Sequence, residues 1–275
     1  MTINLDLVID TEEDSVDMKA GLETMQGVSD AIRCTAEAIL SGATPKRQHH
    51  KGKVRTSLKR SFKGSYGQIF SLDIHDDKLQ KKLNRIGRPA FIELLTYFIA
   101  ESLYSDTKQL SPKAQKALDE LGETSNEVVT QLRVSALVNI HEISLKFNHD
   151  IKIRHRQSRD KQTVIAKFDR KTAKVLQATQ SDQKVDLTVS ITRLNIFTGN
   201  GRLKIKDHDE TVAFGFGIEY KAVNIEAKKI FSENLNHNNG ISSDKWSFLK
   251  VSVAPITLKD GKIVKYIVKG FYDDQ

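Results

Sequence analysis

Among the 275 residues there is a single cysteine, Cys34. One thiol can form neither an intramolecular disulfide nor a thiolate cluster, so a disulfide framework and a cysteine-rich metal site are both excluded. Cys34 lies within an amphipathic helical pattern, where it reads as a small buried hydrophobe rather than a nucleophile. Long apolar runs are missing too. No stretch reaches the length a helix needs to cross a bilayer. The opening residues, Met1 to Ser15, have neither the basic region nor the apolar core of a secretory signal. The expected location is the cytoplasm, without membrane contact. Internal repeats and low-complexity tracts are absent.

Motifs of known chemistry are equally sparse. Gly64-Ser65-Tyr66-Gly67 has the wrong spacing for a phosphate-binding loop, which needs four residues between its glycines and a following Lys-Ser/Thr. It sits between two strand-like runs and reads as a hairpin turn. Gly199-Asn200-Gly201 and Gly215-Phe216-Gly217 read as turn or bulge glycines. Eight histidines are present, none in a metal-ligand spacing such as His-Glu-x-x-His. The densest acidic-histidine group, Asp73 with His75-Asp76-Asp77, is most plainly a solvated strand end. No metal or cofactor is expected.

What the chain does have is a core-forming composition and an excess of positive charge. Hydrophobic residues make up 39% and charged residues 28%, which supports a packed core. Lysine and arginine number 43 against 35 acidic residues, a net charge of +8 that attracts polyanions.

Hydrophobic periodicity predicts an α+β fold. Ile3, Leu5, Leu7 and Ile9 alternate as a half-buried strand. A long helix is expected after Asp14-Ser15, with Met18, Leu22, Met25, Ser29, Ile32, Ala36 and Ile39 on one face and a stop at Ser41-Gly42. Lys53 to Phe62 and Ile69 to Ile74 form a strand pair. Leu79 to Phe147 reads as helical, with Ser111-Pro112 as a start signal. From Val185 onward short alternating runs take over. Asp260-Gly261 between two of them is the strongest hairpin signal in the chain. The expected domains are a helical-rich α+β unit over 1–150, a basic linker over 151–183, and a small OB- or SH3-like β-barrel over 184–275.

Two basic runs carry the functional expectation. Lys46 to Lys63 holds Lys46, Arg47, Lys51, Lys53, Arg55, Lys59, Arg60 and Lys63 with no acidic residue between them. Lys53, Arg55, Lys59, Arg60 and Lys63 are the candidates for phosphate contact, with Phe62 and Tyr66 for base stacking. Arg154 and Arg156 belong to the second run. The acidic crowd of Asp6, Asp10, Glu12, Glu13, Asp14 and Asp17 offers an internal partner for these cations. An enzymatic alternative is a metal-dependent nuclease, in which Asp209 precedes Glu219-x-Lys221 on a strand; the carboxylates would hold Mg²⁺ and the lysine would position water.

Three segments, Ile3–Asp10 (INLDLVID), the helix opening Val16–Ala20 and Lys63–Tyr66 before Phe70–Leu72, together with Asp260–Phe271 (DGKIVKYIVKGF), carry a resemblance. The chain resembles an uncharacterised prokaryotic two-domain family. That resemblance implies an N-terminal α+β domain and a C-terminal small barrel, with no established activity and no assigned residues; a setting in bacterial or phage defence is consistent with it. The leading expectation is a non-catalytic nucleic-acid-binding protein with a protein partner or a second copy. The competing one is an assembly subunit or inhibitor that binds no nucleic acid.

Overall fold

The alternation at the start of the chain produces strand β1, Thr2–Ile9, in which Ile3, Leu5, Leu7 and Ile9 are all buried. The computed structural model describes residues 1–12, 14–45, 51–62 and 65–272. Lys46, Arg47, Lys63, Gly64 and Glu13, invoked above, lie outside the described residues. Two units are present, 1–176 and 177–275.

In the first unit, β1 is followed by helix α1, Met18–Ser41. Its N-cap is Asp17, whose carboxylate accepts from the Ala20 amide, one turn later than Asp14-Ser15. Its C-cap is Gly42, in the left-handed conformation at φ 78°. Strands β2, Val54–Phe62, and β3, Tyr66–Ile74, form the expected hairpin. Helices α2 (Asp77–Ile86), α3 (Arg88–Ser102), α4 (Pro112–Leu121) and α5 (Thr124–Gln131) follow. After a π-helical stretch, Leu132–Ala136, come α6 (Leu137–Ile140) and α7 (Glu142–Phe147). Ser111 caps α4 and Pro112 takes its first position, as the sequence predicts. Gly27 of α1 faces the end of the π stretch: a Cβ there would lie 2.5 Å from the Ile140 nitrogen and 2.6 Å from the Ala136 oxygen. Only glycine permits that approach.

The segment expected to be a linker belongs to this unit. It supplies strands β4 (Ile151–Arg156) and β5 (Gln162–Phe168) and helix α8 (Arg170–Val175). The sheet order is β2-β3-β1-β4-β5, antiparallel throughout, so β4 pairs with a strand nearly 150 residues earlier. Ile151, Ile153 and Phe168 are fully buried in the same core as β1 and α3. Arg133, on the π stretch, donates to the carbonyls of Ser102 (2.5 Å) and Val175 (3.0 Å), placing a cation at the C-terminal ends of α3 and α8. His141, 0% exposed, meets the Thr172 hydroxyl at 2.8 Å, and burial pushes its pKa down. Apolar burial and these bonds place the boundary after Leu176 instead of at 150.

The second unit opens with the short β6, Thr179–Gln180. Its barrel strands are β7 (Val185–Leu194), β8 (Gly201–Ile205), β9 (Thr211–Gly215), β10 (Leu249–Thr257) and β11 (Ile263–Tyr272), with helix α9, Ile225–Asn238, between β9 and β10. Pairing runs β7-β8-β9-β11-β10 and back to β7, closing five strands into a barrel; β9 and β11 are parallel and the other pairs antiparallel. That order, with a helix between the third and fourth strands, is the OB topology and not the SH3 one. Val189, Ile191, Leu203, Phe214, Val251, Val253 and Tyr266 fill the interior, and Phe231 of α9 packs into the same cluster. The Asp260-Gly261 turn joins β10 to β11, with Gly261 at φ 84°.

Candidate nucleic-acid interface

The two basic runs of the first unit meet at the Phe62 ring, and several of their cations are each paired with a carboxylate. On the sheet face opposite Leu5 and Leu7, Asp6 is 0% exposed and accepts from Arg156 Nε at 2.6 Å and Arg154 Nη2 at 3.0 Å. Lys152 pairs with Asp10 at 2.6 Å, and Lys53 with Asp76 at 3.1 Å. Phe62 lies over Gly67, where a Cβ would come within 2.4 Å of its ring. The Arg154 and Arg156 guanidinium carbons lie 5.7 and 5.5 Å from the centre of that ring. Tyr66 aligns with Ile9, on the other face, and packs against the core. Phe62 and Tyr66 therefore do not form a joint stacking platform. Lys59 and Arg60 are exposed in the bulge between Leu58 and Ser61 on edge strand β2, where charge and irregularity blunt strand addition. Arg55 is half-buried on the face of Asp6.

The other sequence candidates have structural employment. Asp73 accepts from Thr2, Ser57 and Ser71. Burial opposes its charge, but those hydrogen bonds and the nearby Lys59 outweigh it and hold its pKa below the ordinary value. Asp76 caps α2. Burial, with Glu37 and Asp30 nearby, pushes the Cys34 thiol up to about 12, leaving no thiolate to react. Glu219 and Lys221 are not on a strand. Glu219 stands at the N-cap of the 3₁₀ turn Tyr220–Ala222 and Lys221 lies within it, both exposed and paired to each other at 2.8 Å. Asp209 lies in the turn between β8 and β9, outside both strands. The strand-borne geometry of the nuclease alternative is not formed. Among the described residues, no group of three or more histidine, cysteine, aspartate or glutamate side chains is placed to hold a metal ion. No helix among them is long and apolar enough to cross a membrane.

The barrel carries the better-built surface. On β8, Leu203 is buried inside, opposite Ile191 and Val212, so Arg202 and Lys204 point outward. Lys206 follows with the same parity, its amide donating to the Thr188 carbonyl at 2.9 Å. Arg202 is fixed to β9 through Thr211 Oγ1 (2.9 Å) and the Thr211 carbonyl (2.6 Å). Two aromatic side chains join this row. Lys204 Nζ lies 5.8 Å from the Trp246 ring centre, and Lys206 Nζ 5.7 Å from that of Phe248. Neither lysine forms an ion pair among the described residues.

A buried polar network holds the aromatic segment in place. Ser247, between the two rings, has a carbonyl that accepts from Ser190 Oγ (2.7 Å), Asn238 Nδ2 (3.0 Å) and Asn234 Nδ2 (3.1 Å). Its amide donates to Asn238 Oδ1 at 2.8 Å, and Asn234 Oδ1 accepts from the Ile191 amide of β7 at 2.8 Å. Trp246 Nε1 donates to the Ile241 carbonyl at 3.1 Å. With Ser247 bound to the barrel, Trp246 and Phe248 are displayed on its outside in a fixed backbone. Arg202-x-Lys204-x-Lys206 and Trp246-x-Phe248 are both period-two patterns visible in the sequence. What joins them is the β7–β8 and β7–β10 pairing, which spans dozens of residues.

Fold and face together define an OB-type barrel bearing a cation–aromatic strip. No family model, curated protein or solved structure matches the chain.

Proposed function

We propose that the protein is a non-catalytic nucleic-acid-binding protein that holds a single strand on the outer face of its barrel. The observation that carries this reading is the pairing of Lys204 with Trp246 and Lys206 with Phe248 on an OB-type barrel. Lysines neutralise backbone phosphates while exposed rings accept unpaired bases, a combination that favours single strands, because bases in a duplex are already stacked. Barrels of this topology commonly bind oligonucleotides on the face of their second and third strands, here β8 and β9; the strip shares β8 with that face and extends from it across β7 toward β10. The basic runs of the first unit fit less well, since Asp6, Asp10 and Asp76 already neutralise several of their cations.

Fluorescence anisotropy with a labelled oligothymidylate and the matching duplex tests this reading. The wild type is expected to bind the single strand more tightly, with affinity falling steeply as salt rises. Lys204→Glu with Lys206→Glu should make the log–log salt slope shallower by about 1.4, from about 0.7 per phosphate contact on a single strand. Equal affinity for duplex and single strand, or an unchanged slope, would count against the proposal.

A further inference from the structure

The first unit holds a cationic cleft that neither basic run predicts. Helices α2 and α4 flank an open cleft of about 250 Å³, with Ile86 and Ala117 in its lining. Lys82 and Arg85 line it from α2, and Lys113 and Lys116 from α4. Each pair is spaced i, i+3, so each lies on one helix face. Glu120 is the only carboxylate in the lining. It bonds to Lys82 and lies 3.9 Å from Arg85 Nη2. The hydrogen bond from Lys82, with the charges of Lys82, Arg85 and Lys116, pulls the Glu120 pKa down despite some burial. Lys113 and Lys116 are exposed and form no ion pair among the described residues. Four cations against one anion leave a net charge of +3 in a single cleft.

We propose that this cleft is a phosphate-contact site in its own right, taking the sugar–phosphate backbone of a nucleic acid. The choice of partner rests on the nucleic-acid reading of the barrel. The lining contains lysine and arginine but no aromatic side chain, so it reads charge and not base identity. A bilayer surface fits less well. Surface-binding helices insert apolar side chains, and α2 and α4 contribute none of the large exposed hydrophobics. The concave shape also suits a strand better than a plane. Anion binding relieves the mutual repulsion of the four cations, which otherwise opposes the fold.

The test uses the full chain carrying Lys113→Glu and Lys116→Glu, with Lys113→Gln and Lys116→Gln as a milder pair and thermal melting to verify folding. The probe is an oligothymidylate of about 30 nucleotides, longer than one barrel's usual site. The charge-reversed pair is expected to bind roughly tenfold more weakly at low salt, with a slope shallower by about 1.4. If slope and affinity are unchanged while Trp246→Ala with Phe248→Ala weakens binding, the cleft proposal falls and the barrel reading stands. If the lysine pair matters and the aromatic pair does not, the cleft stands and the barrel reading falls. Wild-type protein that binds no oligothymidylate overturns both. Loss of binding to phosphatidylserine vesicles, with oligothymidylate affinity unaltered, overturns the cleft proposal in favour of a lipid surface.

Discussion

Replacing Asp6 by alanine is expected to lower the stability of the first unit by about 3 kcal/mol, at the lower end of the range for breaking a buried ion pair from one side. Asp6 is fully buried, and its two partners keep contact with water, with Arg154 at 24% and Arg156 at 15% side-chain exposure. The substitution leaves two partly buried guanidinium groups without their acceptor. Partial access to solvent is what keeps the loss near 3 kcal/mol instead of 5. For a unit of this size the melting midpoint should fall by about 6–12 °C. Asp6→Asn retains one acceptor and should lose less. A midpoint within about 2 °C of wild type for Asp6→Ala would show that the pair contributes little, and that the arginines are available to an outside anion after all.

The second large effect concerns binding. Trp246→Ala with Phe248→Ala should cost about 2–6 kcal/mol in affinity for a single strand, from about 1–3 kcal/mol per stacked base. Even the lower figure is roughly a 30-fold loss. The salt slope should stay near that of wild type, because no charge is removed. The fold should also survive, since Ser247 is held through its own backbone by Asn238, Asn234 and Ser190. Trp246→Phe, which keeps a π face, should recover much of the affinity. A loss below about threefold in the double variant would remove stacking from the account.

Local rules made much of this fold legible. Alternation located β1, the Ser111-Pro112 pair started α4, and Asp260-Gly261 marked the turn between β10 and β11. The switch to period two after Val185 located the barrel. The failures share one cause. Residues 151–168 are polar and basic in sequence because only every second side chain faces the core; the rest serve Asp6, Asp10 and the sheet surface. Their place beside β1 depends on a pairing that no local pattern announces. The candidate site followed the same logic. Runs of lysine and arginine are conspicuous in sequence, yet in the first unit tertiary pairing neutralises several of them. On the barrel the relevant cations alternate with core residues and stand about 40 residues from the aromatics they approach.

Trp246 is the only tryptophan in the chain, so its emission reports on the proposed stacking surface alone. Titrating oligothymidylate into the 275-residue chain while following both tryptophan fluorescence and anisotropy is the most direct measurement. Saturable quenching that tracks the anisotropy change and is reversed by added salt is the expected result. Binding by anisotropy with no change in tryptophan emission would contradict it, and so would the absence of binding at low salt.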